Sequence, residues 1–455
     1  MTFRREESSF RDRDGFVFYD GDKVYRAVGA QYRPFWDKIS NDDWFQALVT
    51  EKKVPAFKKE DAAAHSLSPD SRVLAVEKIP FVVYPSEWTF LQLKKAALLT
   101  LDLQLRALQN NCSLKDASAY NVQFNGNRPV FIDLFSFEEY KEGEPWIAYR
   151  QFCTHFLGPL LLAHYGIPQM LWTMSAFIDG LPLLLCSKLL PWRSRFNLLA
   201  ATHIHLHARL EKKHGADAKT RRLTISRNRL VAMLSHMRDG IKSLKEKDAS
   251  TNWTGYYSEF SYSDQAFQQK KEFVTESLVK HKPAFCLDLG CNTGEFSKIA
   301  SEHCQVVVAC DNDEKVLSLL QKKKLGNVTT LRIDLANPTP AYGWNSNERS
   351  SFLQRVAGAE FVLALALIHH LCISNNVPLQ KLAEFFAGFA KLLLIEFVPK
   401  TDVQVKRLLV TRKDIFDEYD QENFLRHFSE HFFILSEKMV PGSDRVLFLI
   451  KNKHL

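Results

Sequence analysis

The pattern of apolar positions changes character near the middle of the chain. In the second half, short apolar runs of strand length recur at Phe285–Leu289, Val306–Cys310, Thr329–Ile333, Phe361–Ala366, Leu392–Phe397, Phe433–Ser436 and Val446–Ile450. Helical periodicity separates the first five. A run without polar alternation suits a strand buried on both faces, and intervening helices supply the crossovers that parallel strands need. The pattern therefore predicts a parallel α/β sheet covered on both sides. Val440-Pro441-Gly442-Ser443-Asp444, between the last two runs, predicts a closing antiparallel hairpin.

The first half alternates differently and predicts an α+β domain. Phe16–Tyr19 and Val24–Val28 flank the turn Asp20-Gly21-Asp22, and a second pair of apolar strands is expected at Val73–Ile79 and Phe81–Tyr84. Ser86 fits the N-cap of a long helix over Phe90–Leu108. A tight hairpin follows, Asn121–Phe124 and Val130–Asp133 around Asn125-Gly126-Asn127. Gln151 to Ile178 holds no Asp, Glu, Lys or Arg and is long enough to cross a bilayer. Gly158, Pro159, Gly166 and Pro168 interrupt it, so it reads as two short buried helices around a turn, not a membrane span.

Between the halves, EKKHGADAKTRRLTISRNR is charged and poor in large apolar residues. It reads as a solvated linker, with a nucleic-acid patch as the alternative. The boundary is placed near residue 245, giving domains 1–245 and 246–455.

Composition adds little to this division. A net charge of +8 over 455 residues is compatible with nucleic acid or another acidic partner without requiring one. The eight cysteines are scattered and form no C-x-x-C pair, and the charged N-terminus lacks the apolar stretch of a signal peptide. A reducing cytoplasm is the expected compartment. Oligomeric state is not set by the sequence.

Chemistry concentrates at the strand ends of the second half. The first strand runs into FCLDLGCNTGEFS, where Asp288 is followed by the turn Gly290-Cys291-Asn292-Thr293-Gly294 and a helix start. Glycines at the two ends of this turn let the backbone bend sharply and approach a ligand, and the helix start offers free N–H groups. The second strand ends at Asp311-Asn312, where a carboxylate is placed to accept ribose hydroxyls. The third ends at Asp334-Leu335, where a carboxylate can accept an adenine amino group. Carboxylates are seldom placed on buried strand ends for packing alone. A dinucleotide fingerprint would read G-x-G-x-x-G, and the turn has no close Gly-x-Gly, so S-adenosylmethionine is the expected cofactor rather than NAD. His369 and His370 follow the fourth strand and are candidate bases for deprotonating a methyl acceptor, although one of them could simply hold its loop. Tyr256, Tyr257 and Tyr262 precede the first strand, where they could cover the cofactor or only pack a helix.

Residues 284 to 335 resemble motifs I to III of class I S-adenosylmethionine-dependent methyltransferases, and ALALIHHL and LLLIEFVPK resemble their fourth and fifth strands. Segments across nearly the whole chain, among them IPFVVYPSEWTF, LKDASAYNVQF, RPVFIDLFSFE, GEPWIAYRQFC, HIHLHA, QKKEFV and IEFVPKTD, resemble a bacterial nodulation-protein-like family of two-region methyltransferases. The resemblance implies a seven-stranded Rossmann-like sheet and S-adenosylmethionine binding. It names no acceptor, so glycan, small metabolite, RNA and protein stay open.

In the first half, Asp116, Asn121 and Asp133 follow the order in which kinase-like phosphotransferases place a base and two metal ligands, around a similar hairpin. Leu114 and Lys115 stand where His and Arg of that motif would be, Asp133-Leu134-Phe135 lacks the glycine, and no Gly-rich phosphate loop or strand Lys precedes them. The region thus resembles a degenerate kinase-like recognition domain, the plainer alternative being that Asp116 and Asn121 cap turns. His203, His205 and His207 lack the further ligands of a zinc site, and no metal is expected. Two rival functions stand beside a methyltransferase: a non-catalytic S-adenosylmethionine-binding regulator, and a bifunctional protein with a phosphotransferase domain.

Overall fold

The computed structural model describes residues 3–65, 67, 71–214, 224–246, 264–410 and 413–455. Tyr256, Tyr257 and Tyr262 lie outside the described residues, as do residues 215–223 of the charged run. The chain divides into two compact units. One comprises Met1–Phe124, Arg128–Asp248 and Tyr342–Arg349; the other comprises Asn125–Asn127, Ala249–Ala341 and Ser350–Leu455.

The first unit is α+β. Strands β1 (Arg4–Arg5), β2 (Gly15–Asp20), β3 (Lys23–Val28), β4 (Phe57–Glu60) and β5 (Arg72–Val76) form an antiparallel sheet in the order β1-β2-β3-β5-β4. The β2–β3 hairpin closes where Asp20 faces Lys23, with Gly21 at φ +58°. The expected strand at Phe81–Tyr84 does not form. β5 pairs instead with β4, whose sequence FKKE is largely exposed and carries no apolar signal, as suits an edge strand. Val83 spends its N–H on the side chain of Gln123, 2.9 Å away.

Ser86 is not the N-cap of the long helix either. It lies in a short 3-10 turn, and the helix Phe90–Gln109 is capped by Thr89. Thr89 Oγ1 accepts the Gln92 N–H at 3.2 Å, and Gln92 Oε1 accepts the Thr89 N–H at 3.0 Å. This reciprocal pair satisfies two donors that the first turn leaves without helical partners. Beyond the helix come β6 (Cys112–Leu114), β7 (Val122–Asn125), β8 (Arg128–Phe131) and β9 (Phe137–Glu139); β6 pairs with β9 and β7 with β8.

The uncharged stretch from Gln151 departs from expectation at Pro159. Helix Tyr149–Phe152 passes through a π turn, Cys153–Leu157, into Gly158–His164 without a break. Pro159 cannot donate and would crowd the carbonyl four residues back in a regular helix. The wider π turn just before it accommodates both problems. A 3-10 segment, Pro168–Ser175, follows. Among the described residues no helix is long and apolar enough to cross a membrane.

The second unit holds a seven-stranded sheet: β10 (Phe285–Leu289), β11 (Val306–Asp311), β12 (Val328–Arg332), β13 (Ala359–Ala364), β14 (Ala390–Phe397), β15 (Phe432–Met439) and β16 (Val446–Asn452). The order is β12-β11-β10-β13-β14-β16-β15. Neighbours from β12 through β14 are parallel, and β16 runs antiparallel to both β14 and β15. The predicted parallel sheet with a closing antiparallel hairpin is therefore present. Chain progression reverses beside β10, which has β11 on one side and β13 on the other. In open α/β sheets that reversal opens a ligand crevice at the carboxyl ends of the two central strands.

The Thr89 cap gives a stability test. Thr89→Ala should lower stability by about 1 kcal/mol, and Thr89→Ser should lose less. Urea unfolding followed by circular dichroism measures it; equal stability of the alanine variant would mean that the capping pair contributes nothing.

Candidate cofactor site

The turn after β10 is shaped by its backbone. Gly290 and Gly294 take φ of +72° and +81°, and Asn292 enters the left-handed region at +49°. The N–H groups of Gly290 and Cys291 both reach the carbonyl of Cys310 on β11 at 2.9 Å. A β-carbon on Gly290 would come 3.1 Å from Leu367 in the loop after β13. One on Gly294 would come 2.3 Å from Leu320, so this glycine lets the Glu295–His303 helix pack closely against the helix Glu314–Lys322. Gly290 thus keeps the approach at the strand ends open, whereas Gly294 serves helix packing.

Asp288 is buried on β10 and accepts a hydrogen bond from Ser297 Oγ at 2.6 Å. Burial raises its pKa to about 7; the Ser297 bond opposes the rise, the nearby Asp311 adds to it, and Lys270 opposes it. Asp311, at the end of β11, is raised to about 6, again mainly by burial. Its two oxygens divide their work: Oδ2 accepts the Asn292 N–H and Oδ1 the Asp313 N–H, each at 2.9 Å. A carboxylate carries about four lone-pair sites, so further acceptance remains open. Asn312 is exposed, and its Oδ1 accepts from Arg332 at 2.9 Å. Asp334 lies two residues beyond β12 rather than on it, bonded to the Ala336 N–H, and Leu335 is half-buried beside it. Cys291 is buried, and burial with Asp311 and Asp288 nearby keeps its thiol protonated.

Two residues beyond the end of β13, Ala366 takes a left-handed φ of +49°, ahead of the two histidines. Non-glycine residues held there signal local strain. The histidine rings lie 4.1 Å apart, centroid to centroid. They are not equivalent. His369 is fully enclosed and neither ring nitrogen has a hydrogen-bond partner in the protein; burial holds its pKa well below the ordinary value. His370 is partly exposed and opens a π turn, His370–Ser374. Burial and then Arg445 lower its pKa to about 4, so its ring is neutral near pH 7. Of the two histidines, His369 is therefore the enclosed one, packed against the His370 ring.

Sequence reading missed a buried ionic cluster in this unit. Glu396, near the end of β14, accepts from Lys270 at 2.5 Å and lies 3.5 Å from Arg445. Arg445 also grips both oxygens of Asp402, at 2.7 and 3.0 Å. Two cations and two carboxylates, nearly all out of solvent, balance one another. The signal was present: Glu396 is the charged residue inside the apolar run LLLIEFV.

In the first unit, the structure brings Asp116, Asn121 and Asp133 into one neighbourhood. Asp116 accepts the Ser118 N–H at 2.8 Å, as a turn cap does. Its pKa is raised by burial, with Asp133 adding to the rise and the Asn121 side chain opposing it. Burial alone would raise Asp133 too, but Arg26 at 2.8 Å and Ser136 hold it below its ordinary value. His203 and His207 both meet the Tyr149 hydroxyl, at 2.6 and 3.0 Å, and His205 sits between Ser187 and Ser194 at 2.8 and 2.7 Å. Among the described residues no three His, Cys, Asp or Glu side chains are grouped to hold a metal.

No family model matches the chain. Nodulation protein NoeA of Rhizobium meliloti (strain 1021) is 35% identical over 461 residues, covering 98% of this chain and 96% of that protein. The chain belongs to the family of nodulation protein NoeA. Similar solved structures include methyltransferases. N-methyltransferase NodS from Bradyrhizobium japonicum WM9 is 12% identical with a TM-score of 0.32, covering 42% of this chain and 98% of its own. Magnesium protoporphyrin IX methyltransferase from Synechocystis PCC 6803, with bound S-adenosylmethionine, is 16% identical with a TM-score of 0.30, covering 45% and 87%. For this NoeA-family chain, the strand order and the geometry of the β10 turn are what define the site.

Two predictions follow from the electrostatics. A raised carboxyl pKa contributes stability that is complete below pH 4 and is lost as pH rises through the folded value. Asp288→Asn should therefore gain stability relative to wild type from pH 4 to pH 7, by a few kcal/mol at about 1.4 kcal/mol per unit. Taking the difference cancels the opposing slope from His369 and His370; a pH-independent difference would remove the assignment. Arg445→Met leaves Glu396 and Asp402 short of their cation and should cost about 3–5 kcal/mol. Near-native urea stability of that variant would show that the cluster does not depend on Arg445.

Proposed function

We propose that this chain is an S-adenosylmethionine-dependent methyltransferase of unassigned acceptor. The observation that carries the reading is the convergence of Asp288, the Gly290 turn and Asp311 at the carboxyl ends of adjacent parallel strands, beside the reversal of strand order. The residues suit the cofactor's chemistry. Asp311 has acceptor capacity for ribose hydroxyls, and the bare Gly290 leaves room at the turn. Asp288 would lie near the amino-acid end of the cofactor, Asp334 and Leu335 near the adenine, and Cys291, Asn292, Gly294 and Asn312 would complete the surround. When bound, S-adenosylmethionine supplies a methyl group on a sulfonium centre, ready for in-line attack.

The protein's contribution is positioning and charge complementarity. His370, neutral and partly exposed, can accept the acceptor's proton. His369 fixes the His370 ring by direct contact. The first unit is read as an acceptor-recognition domain on a kinase-like frame without phosphotransfer. The Arg26–Asp133 ion pair supports that reading, because it sets a guanidinium where a metal-binding carboxylate would need a metal.

Calorimetric titration with S-adenosylmethionine tests the site. Asp311→Ala should cost about 2 kcal/mol, the range of charged hydrogen bonds, and Gly290→Val should abolish binding. Wild-type affinity should also weaken as pH falls through about 6, where Asp311 takes up a proton. A folded Asp311→Ala protein with unchanged affinity would defeat this assignment.

A further inference from the structure

The first unit carries an exposed apolar face that its own fold leaves unused. Trp192 is 72% exposed, Phe196 81% and Leu198 64%, with Leu206 and Leu210 at 46% and 44%. Trp192 and Phe196 touch edge to face, 5.7 Å between centroids. Leu198, Leu206 and Leu210 lie along one helical stretch, Leu198–Ala200 continuing through a π turn into Leu206–His214. Exposed apolar side chains scattered singly need no explanation, but a grouped set marks an interaction surface.

The face is held rigidly. His205 is buried beneath it and uses both ring nitrogens, Nδ1 on Ser187 at 2.8 Å and Nε2 on Ser194 at 2.7 Å. One side chain thereby ties the Leu183–Leu189 helix and the Trp192–Phe196 turn to the helix that carries the leucines. Asn197 adds an N-cap to that helix through the Ala200 N–H at 3.1 Å. Trp192 and Phe196 are thus presented on a braced turn.

Charge identifies the occupant. From residue 180 to 210 the sequence has no Asp or Glu, while Lys188, Arg193, Arg195 and Arg209 are all exposed. A second copy of the same face would bring like charges together. Single-stranded nucleic acid would stack on the two aromatic rings, but it has no use for the leucine stripe. An anionic lipid surface uses every component: aromatic rings and leucines enter the headgroup–acyl boundary, and the Arg and Lys heads reach the phosphates. We propose that the Trp192–Leu210 face docks the protein peripherally on an anionic phospholipid bilayer.

The test is co-sedimentation of the full chain with vesicles of phosphatidylcholine alone and of phosphatidylcholine mixed with phosphatidylglycerol. Binding is expected to the mixed vesicles only, and to weaken with salt. R193Q/R195Q should weaken it roughly 25-fold, about fivefold per lost charge. W192S/F196S should weaken it at least tenfold while circular dichroism and thermal melting match wild type. Quenching of tryptophan fluorescence by brominated lipid, reduced in Trp192→Phe, gives a second readout on a variant that keeps an aromatic ring. The proposal fails if mixed vesicles do not bind, if neutral vesicles bind equally, or if W192S/F196S binds normally. It fails equally if RNA binds this face and vesicles do not, or if W192S/F196S instead breaks a dimer that never binds vesicles.

Discussion

The candidate site depends on a single carboxylate that works on the protein's own backbone. Asp311 ends β11, yet one of its oxygens accepts the N–H of Asn292 in the turn after β10, and the other accepts the N–H two residues along its own chain. Two loops that leave neighbouring parallel strands are thereby tied together. The tie has an electrostatic cost, because burial disfavours the ionised form of Asp311 and the nearby Asp313 adds to it, while Asp311 in turn raises the pKa of Asp288. A sheet that places two carboxylates at adjacent strand ends stores repulsion that a ligand with donors, or with positive charge, can relieve.

Charge compensation around that pair comes from farther along the chain. Lys270, on the helix Asp264–His281, bonds Glu396 on β14, and its charge also acts on Asp288 and on His369. Arg445 enters from the turn of the closing hairpin, one residue before β16, and adds to the burial that lowers the pKa of both histidines. The last hairpin therefore does more than finish the sheet: its antiparallel return brings a guanidinium into the low-dielectric interior, where it matters most. Replacing such clusters by apolar side chains is often neutral for stability, so electrostatic tuning of the strand ends is the better account of their presence.

The first unit shows similar economy with polar groups. Its three neighbouring acidic and amide residues, Asp116, Asn121 and Asp133, are engaged by turn N–H groups, a serine and an arginine. The histidines of HIHLHA, which suggest metal chemistry on inspection, are shared between Tyr149 and two serines. Tyr149 can meet both His203 and His207 because residues four apart lie on one face of a helix.

The sequence by itself determined the elements whose signal is local. Continuous apolar runs marked all seven strands of the second unit; six are largely buried and leave no polar alternation to confuse the reading, whereas the edge strand β15 was marked by Phe433, Ile434 and Leu435, which the fold leaves exposed. Glycines at 290 and 294 and carboxylates at 288 and 311 marked the turn, because few residue types tolerate those positions. Where the signal was weak or competed, local reading failed. The edge strand Phe57–Glu60 has no apolar pattern, the helix cap moved from Ser86 to Thr89 because only Thr89 has a glutamine three residues on to answer it, and Pro159 was absorbed by a π turn. Only the tertiary structure could separate His369 from His370, adjacent residues that differ in enclosure, or join Lys270, Glu396, Asp402 and Arg445 across 175 residues of chain. Burial and charge pairing are set by what the rest of the chain packs around a residue, and a one-dimensional pattern carries no measure of that.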